Sequence, residues 1–290
     1  GKIFKHSRAT VQNFNEVMRK KGSKKTIDEF QGSLFRRGNI NLLAISLLAI
    51  LAALNFMFPV PWWIYPIVLF LWFLVTLCGS FFIRWNYHFT SLHSNKSISK
   101  NQVSLTFDDG PNTEFTPRVL ELLKQYNAKA TFFLIGQNVA KHPEIAQQIA
   151  GAGHTIGNHT QTHVKGRKTE TQSYLEEVKA AQHNISKRTG LAPRLFRPPY
   201  GSLTRKQSQA LRSDYEIAMM DVISGDFDKN RTGDQCQQTV IRYARPGSIV
   251  LFHDSLKAWE RLEYTLPRVL AHFQQAGYRF AAMPVRSSHS

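Results

Sequence analysis

The feature that most constrains this chain is a stretch of 46 residues without a single charged side chain. Between Gly38 and Ile83 there is no Asp, Glu, Lys, Arg or His. Within it, residues 40–58 and 62–83 each come close to the ~20 apolar residues that a helix needs to cross a ~30 Å hydrocarbon core. The segment Pro59–Pro61 divides them, and a turn is expected there because proline removes backbone donors and breaks helices. The sequence therefore predicts two transmembrane helices joined as a hairpin.

Aromatic residues mark the presumed ends of the two segments, where amphipathic rings favour the membrane interface. They are Trp62, Trp63, Tyr65, Trp85 and Tyr87. A cleaved signal peptide fits poorly, because the preceding basic region is too long and the apolar stretch has double the usual length. A buried helical hairpin in a soluble core and a re-entrant second segment stay open as alternatives.

The positive charge of the chain bears on its orientation in a membrane. The formal net charge is +17, and residues 1–37 form a leader with ten Lys or Arg and three acids. Basic flanks stay on the cytoplasmic side, so two crossings would return the chain to the cytoplasm. We expect a multi-pass protein of the cell (inner) membrane with a cytoplasmic C-terminal domain, or an extracytoplasmic one if one segment does not span. The leader would bind anionic headgroups, at ~1 kcal/mol per basic residue near the surface.

Composition narrows the classes of protein that remain. The two cysteines exclude a disulfide-stapled scaffold and a Cys-rich metal cluster. A nucleic-acid binder of single strands would need a basic stripe with interleaved aromatic residues. The C-terminal domain has no such stripe, so no nucleic-acid partner is expected.

After a polar linker at residues 84–100, residues 101–290 alternate short apolar runs with longer stretches of helical periodicity. Strands that alternate with helices form a mainly parallel sheet with the helices outside. About seven such units suit an incomplete, distorted (β/α) barrel better than an open sheet. The predicted strands are 103–107, 130–135, 155–157, 194–197, 217–220, 248–252 and 279–281. The predicted helices are 117–126, 144–150, 172–189, 204–212, 235–244 and 265–276.

Two adjacent carboxylates follow the first predicted strand, and chemistry in such barrels lies at the carboxyl ends of the strands. Asp108 and Asp109 precede a Gly-Pro turn that presents both side chains beyond the strand. Like charges so close disfavour joint ionisation unless a cation neutralises one of them, which would leave the other free as a base. An ordinary acidic turn is the alternative.

A histidine pair follows the third predicted strand. His159 and His163 are four residues apart, and on a helical turn this spacing places both imidazoles on one face, within reach of a single cation. Zinc in hydrolytic sites commonly takes His and carboxylate ligands and leaves a position for water. An incidental pair on a surface helix is the alternative.

Three more polar residues follow later strands. Arg197 precedes two prolines, and its guanidinium can hold a carboxylate with two parallel hydrogen bonds. His253 emerges from an apolar strand and can exchange a proton near neutral pH. Asp226 follows the fifth predicted strand and would orient that histidine. A rigid proline turn and a satisfied core histidine are the alternatives.

Together these motifs resemble the polysaccharide deacetylase family (carbohydrate esterase family 4) in order and separation, over about residues 103–284. They are Thr-Phe-Asp-Asp-Gly-Pro at 106–111, His-Thr-x-x-His at 159–163, Arg-Pro-Pro-Tyr-Gly at 197–201 and Leu-Phe-His-Asp at 251–254. The resemblance implies metal-dependent hydrolysis of the N-acyl (acetyl) group of an N-acetylated amino sugar in a polysaccharide, oligosaccharide or lipid-linked glycan. The products would be a free amine and a carboxylate.

The resemblance also implies a role for each site residue. Asp109, His159 and His163 would bind a divalent metal, usually Zn²⁺, with Co²⁺, Ni²⁺ or Mn²⁺ as alternatives. Asp108 would be the general base, tethered by Arg197.

The remaining roles concern the leaving group and the acyl pocket. His253 would be the general acid, tuned by Asp226, and the backbone N–H of Tyr200 would hold the oxyanion. The pocket would be lined by Leu251, Phe227 and Pro199. The family usually has Trp where this chain has Phe227, which keeps an apolar wall and changes its shape.

Two other functions remain open at this point. The enzyme would be a deformylase or deacetylase of a lipid-linked amino-sugar precursor, a substrate that the membrane hairpin and basic leader favour. A non-catalytic, membrane-tethered carbohydrate-binding relative is the second, and the intact site residues argue against it.

Overall fold

The computed structural model describes residues 36–81, 86–94 and 101–283, without the side chain of Phe81. The predicted leader up to residue 35, part of the predicted linker and the last seven residues lie outside the described residues. The chain divides into two compact units, one up to Phe89 and the other from Thr90. This division falls within the predicted linker.

The first unit contains two apolar helices, α1 (Arg37–Leu54) and α2 (Ile64–Phe81). The indole N–H of Trp72 donates to the side-chain oxygen of Asn41 over 2.9 Å, which links the two helices. In the part of the chain that the structure describes, α1 is the one helix both long and apolar enough to cross a membrane, with a mean hydropathy of 1.7 and no buried residues. The apolar run Ile64–Ser80 is shorter. Membrane crossing by either helix stays a prediction.

The second unit is a sheet of eight strands in which every pairing is parallel. In chain order the strands are β1 (Gln102–Asp108), β2 (Ala130–Leu134), β3 (Thr155–Asn158), β4 (Leu195–Phe196), β5 (Glu216–Ile217), β6 (Val222–Ile223), β7 (Ile249–His253) and β8 (Arg279–Phe280). Their order across the sheet is β5-β4-β3-β2-β1-β7-β6, and β8 pairs with the first residues of β1. Because β5 and β6 are the two edges of this order, the barrel is incomplete, as predicted.

Helices cover the sheet. They are α3 (Phe115–Gln125), α4 (Gly136–Lys141), α5 (Pro143–Gly151), α6 (Thr171–Thr189), α7 (Arg205–Leu211), α8 (Gly233–Tyr243) and α9 (Trp259–Gln275). The central strands are buried on both faces, which is why they appear in the sequence as continuous apolar runs. Phe107 of β1 stacks on Phe132 of β2 and on Phe252 of β7, with ring centroids 5.0 and 5.9 Å apart. These rings form the centre of the core and hold the three strands in register.

Three details differ from the sequence prediction. The strand β6 was not predicted, since two residues are too few to show a periodicity. The short helix α4 was not predicted either. Leu92 lies in the predicted linker but pairs with the β5 edge of the sheet, where its N–H donates to Ile217 O over 2.8 Å. Pairing with the sheet therefore begins before residue 101.

Candidate active site

The predicted site residues converge at the carboxyl ends of the parallel strands. Asp108, the last residue of β1, is the register partner of His253, the last residue of β7. Asn158, which ends β3, is the register partner of Phe196, which ends β4. Parallel pairing therefore brings the segments that follow four different strands to one edge of the sheet.

Arg197 holds Asp108 in a buried ion pair. Its Nη1 donates to Asp108 Oδ1 over 2.7 Å and to the hydroxyl of Thr106 over 2.7 Å. Its other nitrogens donate to backbone carbonyls, and the guanidinium lies 4.1 Å from the ring centroid of Phe133. The contact with Asp108 is thus through one nitrogen and not through the two-pronged fork that the sequence suggested. This leaves Asp108 Oδ2 facing the site, 3.9 Å from His159 Nε2.

Asp109, His159 and His163 form one cluster. Asp109 Oδ1 lies 3.7 Å from His159 Nε2 and 3.2 Å from His163 Nε2, and the three donor atoms all lie within 4.8 Å of one another. Ligand atoms bound ~2.0–2.1 Å from a tetrahedral ion are about 3.3 Å apart, so the observed separations fit one small cation.

The histidine pair is brought together by a loop and not by a helical turn. The residues after β3 are irregular up to a 3₁₀ turn at Gly166–Lys168, and Thr160 and His163 have φ of 65° and 62°. The expectation of a helix is therefore wrong for this segment. Two residues in the left-handed region are costly for non-glycine side chains, and such strain concentrates where a site over-determines the backbone.

The hydrogen bond on the far side of His159 determines which ring nitrogen faces the cluster. His159 Nδ1 lies 2.7 Å from the carbonyl oxygen of Arg197, which only accepts, so Nδ1 carries the proton. The lone pair of Nε2 then points at Asp109. Burial lowers the pKa of His159 below its ordinary value, although the nearby carboxylates oppose this shift. Both effects favour the neutral imidazole that a metal ligand must be.

The carboxylate of Asp109 is suited to the same role. Its Oδ1 is buried and accepts no hydrogen bond of good geometry from the described residues, so a bound cation would satisfy it. Burial alone would raise the pKa of Asp109, but the close approach of His163 and the charge of His253 lower it to about 2. The donor set of one carboxylate and two imidazoles fits Zn²⁺.

A second pair, His253 and Asp226, lies at the end of β7. The buried Asp226 carboxylate accepts from His253 Nδ1 over 2.8 Å and from the His253 backbone N–H over 2.7 Å. Burial alone would lower the pKa of His253, but the charge and hydrogen bond of Asp226 raise it to about 9. His253 is therefore protonated at neutral pH, with Nδ1 bonded to Asp226 and the Nε2 proton available for transfer.

The residues predicted to bind the substrate surround these groups. Tyr200 has a φ of 57° in the turn Pro199–Gly201, and its exposed ring packs against His163 with centroids 4.6 Å apart. Phe227 packs edge-on against His253, with centroids 5.2 Å apart. Leu251 and Pro199 are buried. One aromatic ring thus lies beside His163 and the other beside His253.

Sequence reasoning missed three buried groups that position the site. Arg261 of α9 donates from Nε to the Asp226 carbonyl over 2.7 Å and also donates to the carbonyl of Lys257. Thr106 accepts from Arg197 and donates to Val250 O over 2.8 Å. Asp254 accepts from Thr116, and burial raises the pKa of Asp254 to about 7. Thr106 and Asp254 belong to the recognised motifs, whereas no local pattern marks Arg261.

Three groups lie at one edge of this half-barrel. They are a carboxylate that can act as a base and is held by arginine, a protonated histidine held by aspartate, and a cluster suited to a divalent cation. That combination of groups defines a hydrolase that adds water to a polar bond.

Comparison with known proteins identifies the family. A family model described as "Polysaccharide deacetylase" matches residues 95–217. A peptidoglycan-N-acetylglucosamine deacetylase of Bacillus cereus is 36% identical over 188 residues, which cover 64% of this chain and 68% of the relative. The peptidoglycan-N-acetylglucosamine deacetylase PgdA of Listeria monocytogenes is 31% identical, and the match covers 65% of this chain and 39% of that protein.

A solved structure gives the same result. The crystal structure of the Bc1960 peptidoglycan N-acetylglucosamine deacetylase has a TM-score of 0.63 and 34% sequence identity, and the match covers 66% of this chain and 90% of that one. The chain belongs to the polysaccharide deacetylase family. It is a carbohydrate N-deacetylase, a hydrolase that removes the acetyl group of an N-acetylated amino sugar in a glycan.

Proposed function

We propose that this chain is a metal-dependent N-deacetylase anchored in the cell membrane, acting on an N-acetylated glycan or lipid-linked amino sugar presented at that membrane. The observation that carries the proposal is that Asp109, His159 and His163 form one cluster beside Asp108, whose register partner is His253. A bound divalent cation, Zn²⁺ by the nature of the donor set, would polarise the attacking water and the acetyl carbonyl.

Asp108 and His253 move the protons in this scheme. Arg197 occupies Asp108 Oδ1, so Oδ2 is the atom that accepts the proton of the attacking water. His253 then donates its Nε2 proton to the leaving amine, while Asp226 holds Nδ1 and stabilises the imidazolium beforehand. Positioned acid and base groups of this kind each contribute ~10²–10⁴-fold to the rate.

The acyl group would lie between the metal cluster and the apolar walls. The backbone N–H of Tyr200 would donate to the developing oxyanion, and loss of one such donor typically costs ~10²–10³-fold in rate. Leu251, Phe227 and Pro199 would enclose the methyl group. Small apolar walls select a short acyl group, so acetyl is the proposed substrate group.

The apolar helix α1 supports the anchored location. Its large side chains are exposed along its length, Leu42, Leu43 and Ile45 being each 65% exposed, as expected of a surface that faces lipid. This favours a second candidate function, deacylation of a lipid-linked amino-sugar precursor, since that substrate is confined to the same surface. The basic leader would add contacts with anionic headgroups.

The test uses the full chain in detergent. We expect acetate release from N-acetylated chito-oligosaccharides, loss of this activity after chelation, and recovery on addition of Zn²⁺, Co²⁺, Ni²⁺ or Mn²⁺. Replacing His183, an exposed histidine of α6 that is not part of the cluster, by alanine should leave both activity and metal content unchanged. Full activity after chelation, with no metal detected in the protein, would contradict metal dependence.

A further inference from the structure

The two aromatic rings of the site that contact a histidine each also contact a lysine. Lys165 Nζ lies 5.7 Å from the ring centroid of Tyr200, whose ring packs on His163. Lys257 Nζ lies 5.7 Å from the ring centroid of Phe227, whose ring packs on His253. Both lysines are exposed. Each of the two site histidines therefore contacts an aromatic ring, and each ring contacts an exposed ammonium group.

Neither ammonium is neutralised within the structure. Among the residues that the structure describes, no carboxylate oxygen lies within 4 Å of Lys165 Nζ or Lys257 Nζ. A lysine over an aromatic ring is held in place by the negative face of the ring while its remaining donors stay free. Such a cation is available for an anion on a substrate that occupies the site.

The Tyr200 side adds further positive charge. The turn Gly166–Lys168 packs on the segment after Tyr200: the N–H of Arg167 donates to Ser202 Oγ over 3.2 Å. The two segments 163–168 and 199–206 contain no acid. Their basic residues are Lys165, Arg167, Lys168, Arg205 and Lys206. We call these five residues and Lys257 the basic rim.

The position of Lys257 is itself fixed by the site. Arg261 donates to the carbonyls of both Asp226 and Lys257, so one buried guanidinium holds the backbone of the general-acid pair and of the rim lysine together. Lys257 is thereby placed relative to His253 by a direct chain of hydrogen bonds. The backbone of Lys257 is held in this way, and its ammonium contacts the ring of Phe227 beside His253.

Taking the proposed deacetylase function as given, we propose that Lys165 and Lys257 select a glycan that carries negative charge next to the sugar being deacetylated. The charge would be a carboxylate on an adjacent sugar of the glycan or the phosphates of a lipid-linked sugar, since ammonium groups bind both. A neutral N-acetylated oligosaccharide would be a substrate of the chemistry without using the basic rim.

The test compares substrates and variants on the full chain in detergent. The substrates are a neutral N-acetylated chito-oligosaccharide, an oligosaccharide of the same length with N-acetylmuramic acid carboxylates, and a polyprenyl diphosphate-linked N-acetylated sugar. We expect the ratio of kcat/KM for acidic over neutral substrate to fall about 3- to 5-fold in Lys165→Gln and in Lys257→Gln, the size usual for an exposed ion pair. The conservative Lys165→Arg and Lys257→Arg should keep the ratio, and high salt should lower it in the parent chain.

Lys187→Gln is the matched control, because this exposed lysine in the last turn of α6 is outside the basic rim. A ratio that does not change in the rim variants, or changes equally in the control, overturns the proposal. The acidic substrate whose kcat/KM ratio falls in the rim variants shows whether the preferred anion is a carboxylate of the glycan or a phosphate of a lipid-linked sugar. If the parent chain deacetylates no substrate, the proposed function fails, and binding of the acidic and neutral oligosaccharides to the same variants by calorimetry decides the selectivity separately.

Discussion

At the scale of single residues, the two neighbouring aspartates of the site have different roles. Asp108 is bound to Arg197 through one oxygen, and Asp109 presents an unsatisfied oxygen to two imidazoles. Two adjacent carboxylates therefore have different partners, although the sequence shows only that they are adjacent. Their distinct environments assign one to proton transfer and the other to the cation.

We predict that Asp108→Asn keeps the metal and loses turnover. The amide oxygen of asparagine can still accept from Arg197, so the fold and the cluster should persist, but an amide is not a base at neutral pH. Turnover should fall ~10²–10⁴-fold, with metal content near that of the parent chain. His159→Ala should lose both the metal and the turnover, because it removes a metal ligand. Steady-state kinetics and elemental analysis measure the two quantities, and full activity of Asp108→Asn would refute the assignment of the base.

The second residue-scale prediction concerns the pH dependence of the general acid. Because Asp226 raises the pKa of His253 to about 9, the protonated form persists through neutral pH, and kcat/KM should fall only as the pH rises through about 9. In Asp226→Asn the raising charge is lost, while burial still lowers the pKa. The alkaline limb should then move toward or below the ordinary histidine value of 6.5.

The measurement is the pH profile of kcat/KM for the parent chain and the variant. Asp214→Asn removes an exposed carboxylate in the turn before β5 that does not contribute to the pKa shift of His253, and its profile should match the parent. An alkaline limb that stays in place in Asp226→Asn would show that another group controls it.

The site residues were accessible to sequence reasoning because each follows an apolar strand within a compact motif. Their supporting contacts were not. Arg261 reaches the Asp226 carbonyl across 35 residues of chain, and it sits on an amphipathic helix where a charged residue is ordinary. Nothing in local sequence encodes such a contact, since it arises only when α9 packs beside the segment after β6.

At the scale of elements, the alternation of apolar runs and helical periodicity predicted the parallel sheet and its covering helices, apart from β6 and α4. The conformation of the loop after β3 did not follow from the sequence pattern. The spacing of His159 and His163 fits one turn of helix, but two left-handed residues fold the segment back so that the same two rings meet without a helix. Spacing constrained which side chains could meet, and the tertiary environment determined the backbone that brings them together.

Gly157 provides the element-scale prediction. It lies in β3, and a Cβ there would be 2.4 Å from the ring of Phe133 and 3.3 Å from Leu195 O. The Phe133 ring supports the guanidinium of Arg197, so it has no free direction in which to move. Gly157→Ala should therefore lower the free energy of unfolding by about 1–3 kcal/mol, as overpacking does, and should also reduce turnover.

The matched control is Gly151→Ala at the end of α5, where a Cβ would meet nothing within 4 Å. There, alanine should leave stability unchanged or raise it by up to ~1 kcal/mol. Urea unfolding followed by circular dichroism gives both values. Equal stability of the two variants would mean that β3 yields to the added methyl group, contrary to the packing described.

At the scale of the whole molecule, the chemistry and the apolar helices belong to different units. Every site residue, the core rings and the paired residue Leu92 lie in the unit that begins at Thr90. We predict that residues 90–290 alone are soluble without detergent and deacetylate a neutral chito-oligosaccharide with kcat/KM within about threefold of the full chain. The full chain should sediment with membranes after an alkaline wash. Aggregation of the truncated chain would contradict this prediction, because it would mean that the second unit depends on the first for part of its stability.

The side of the membrane on which the catalytic unit lies depends on the number of crossings. Arg36 and Arg37 flank α1, and positive flanks remain cytoplasmic. The run Ile64–Ser80 is about 25 Å long at ~1.5 Å per residue, slightly less than the ~30 Å core, and local thinning of the bilayer accommodates such a mismatch at small cost. Two crossings are therefore expected, with the catalytic unit protected from protease in sealed cells and digested once they are opened.

A tag on the N-terminal leader is the control, because it should be protected in sealed cells for one crossing or two. Digestion of the catalytic unit in sealed cells, with the tag intact, would establish a single crossing, and the substrate would then be a glycan outside the membrane.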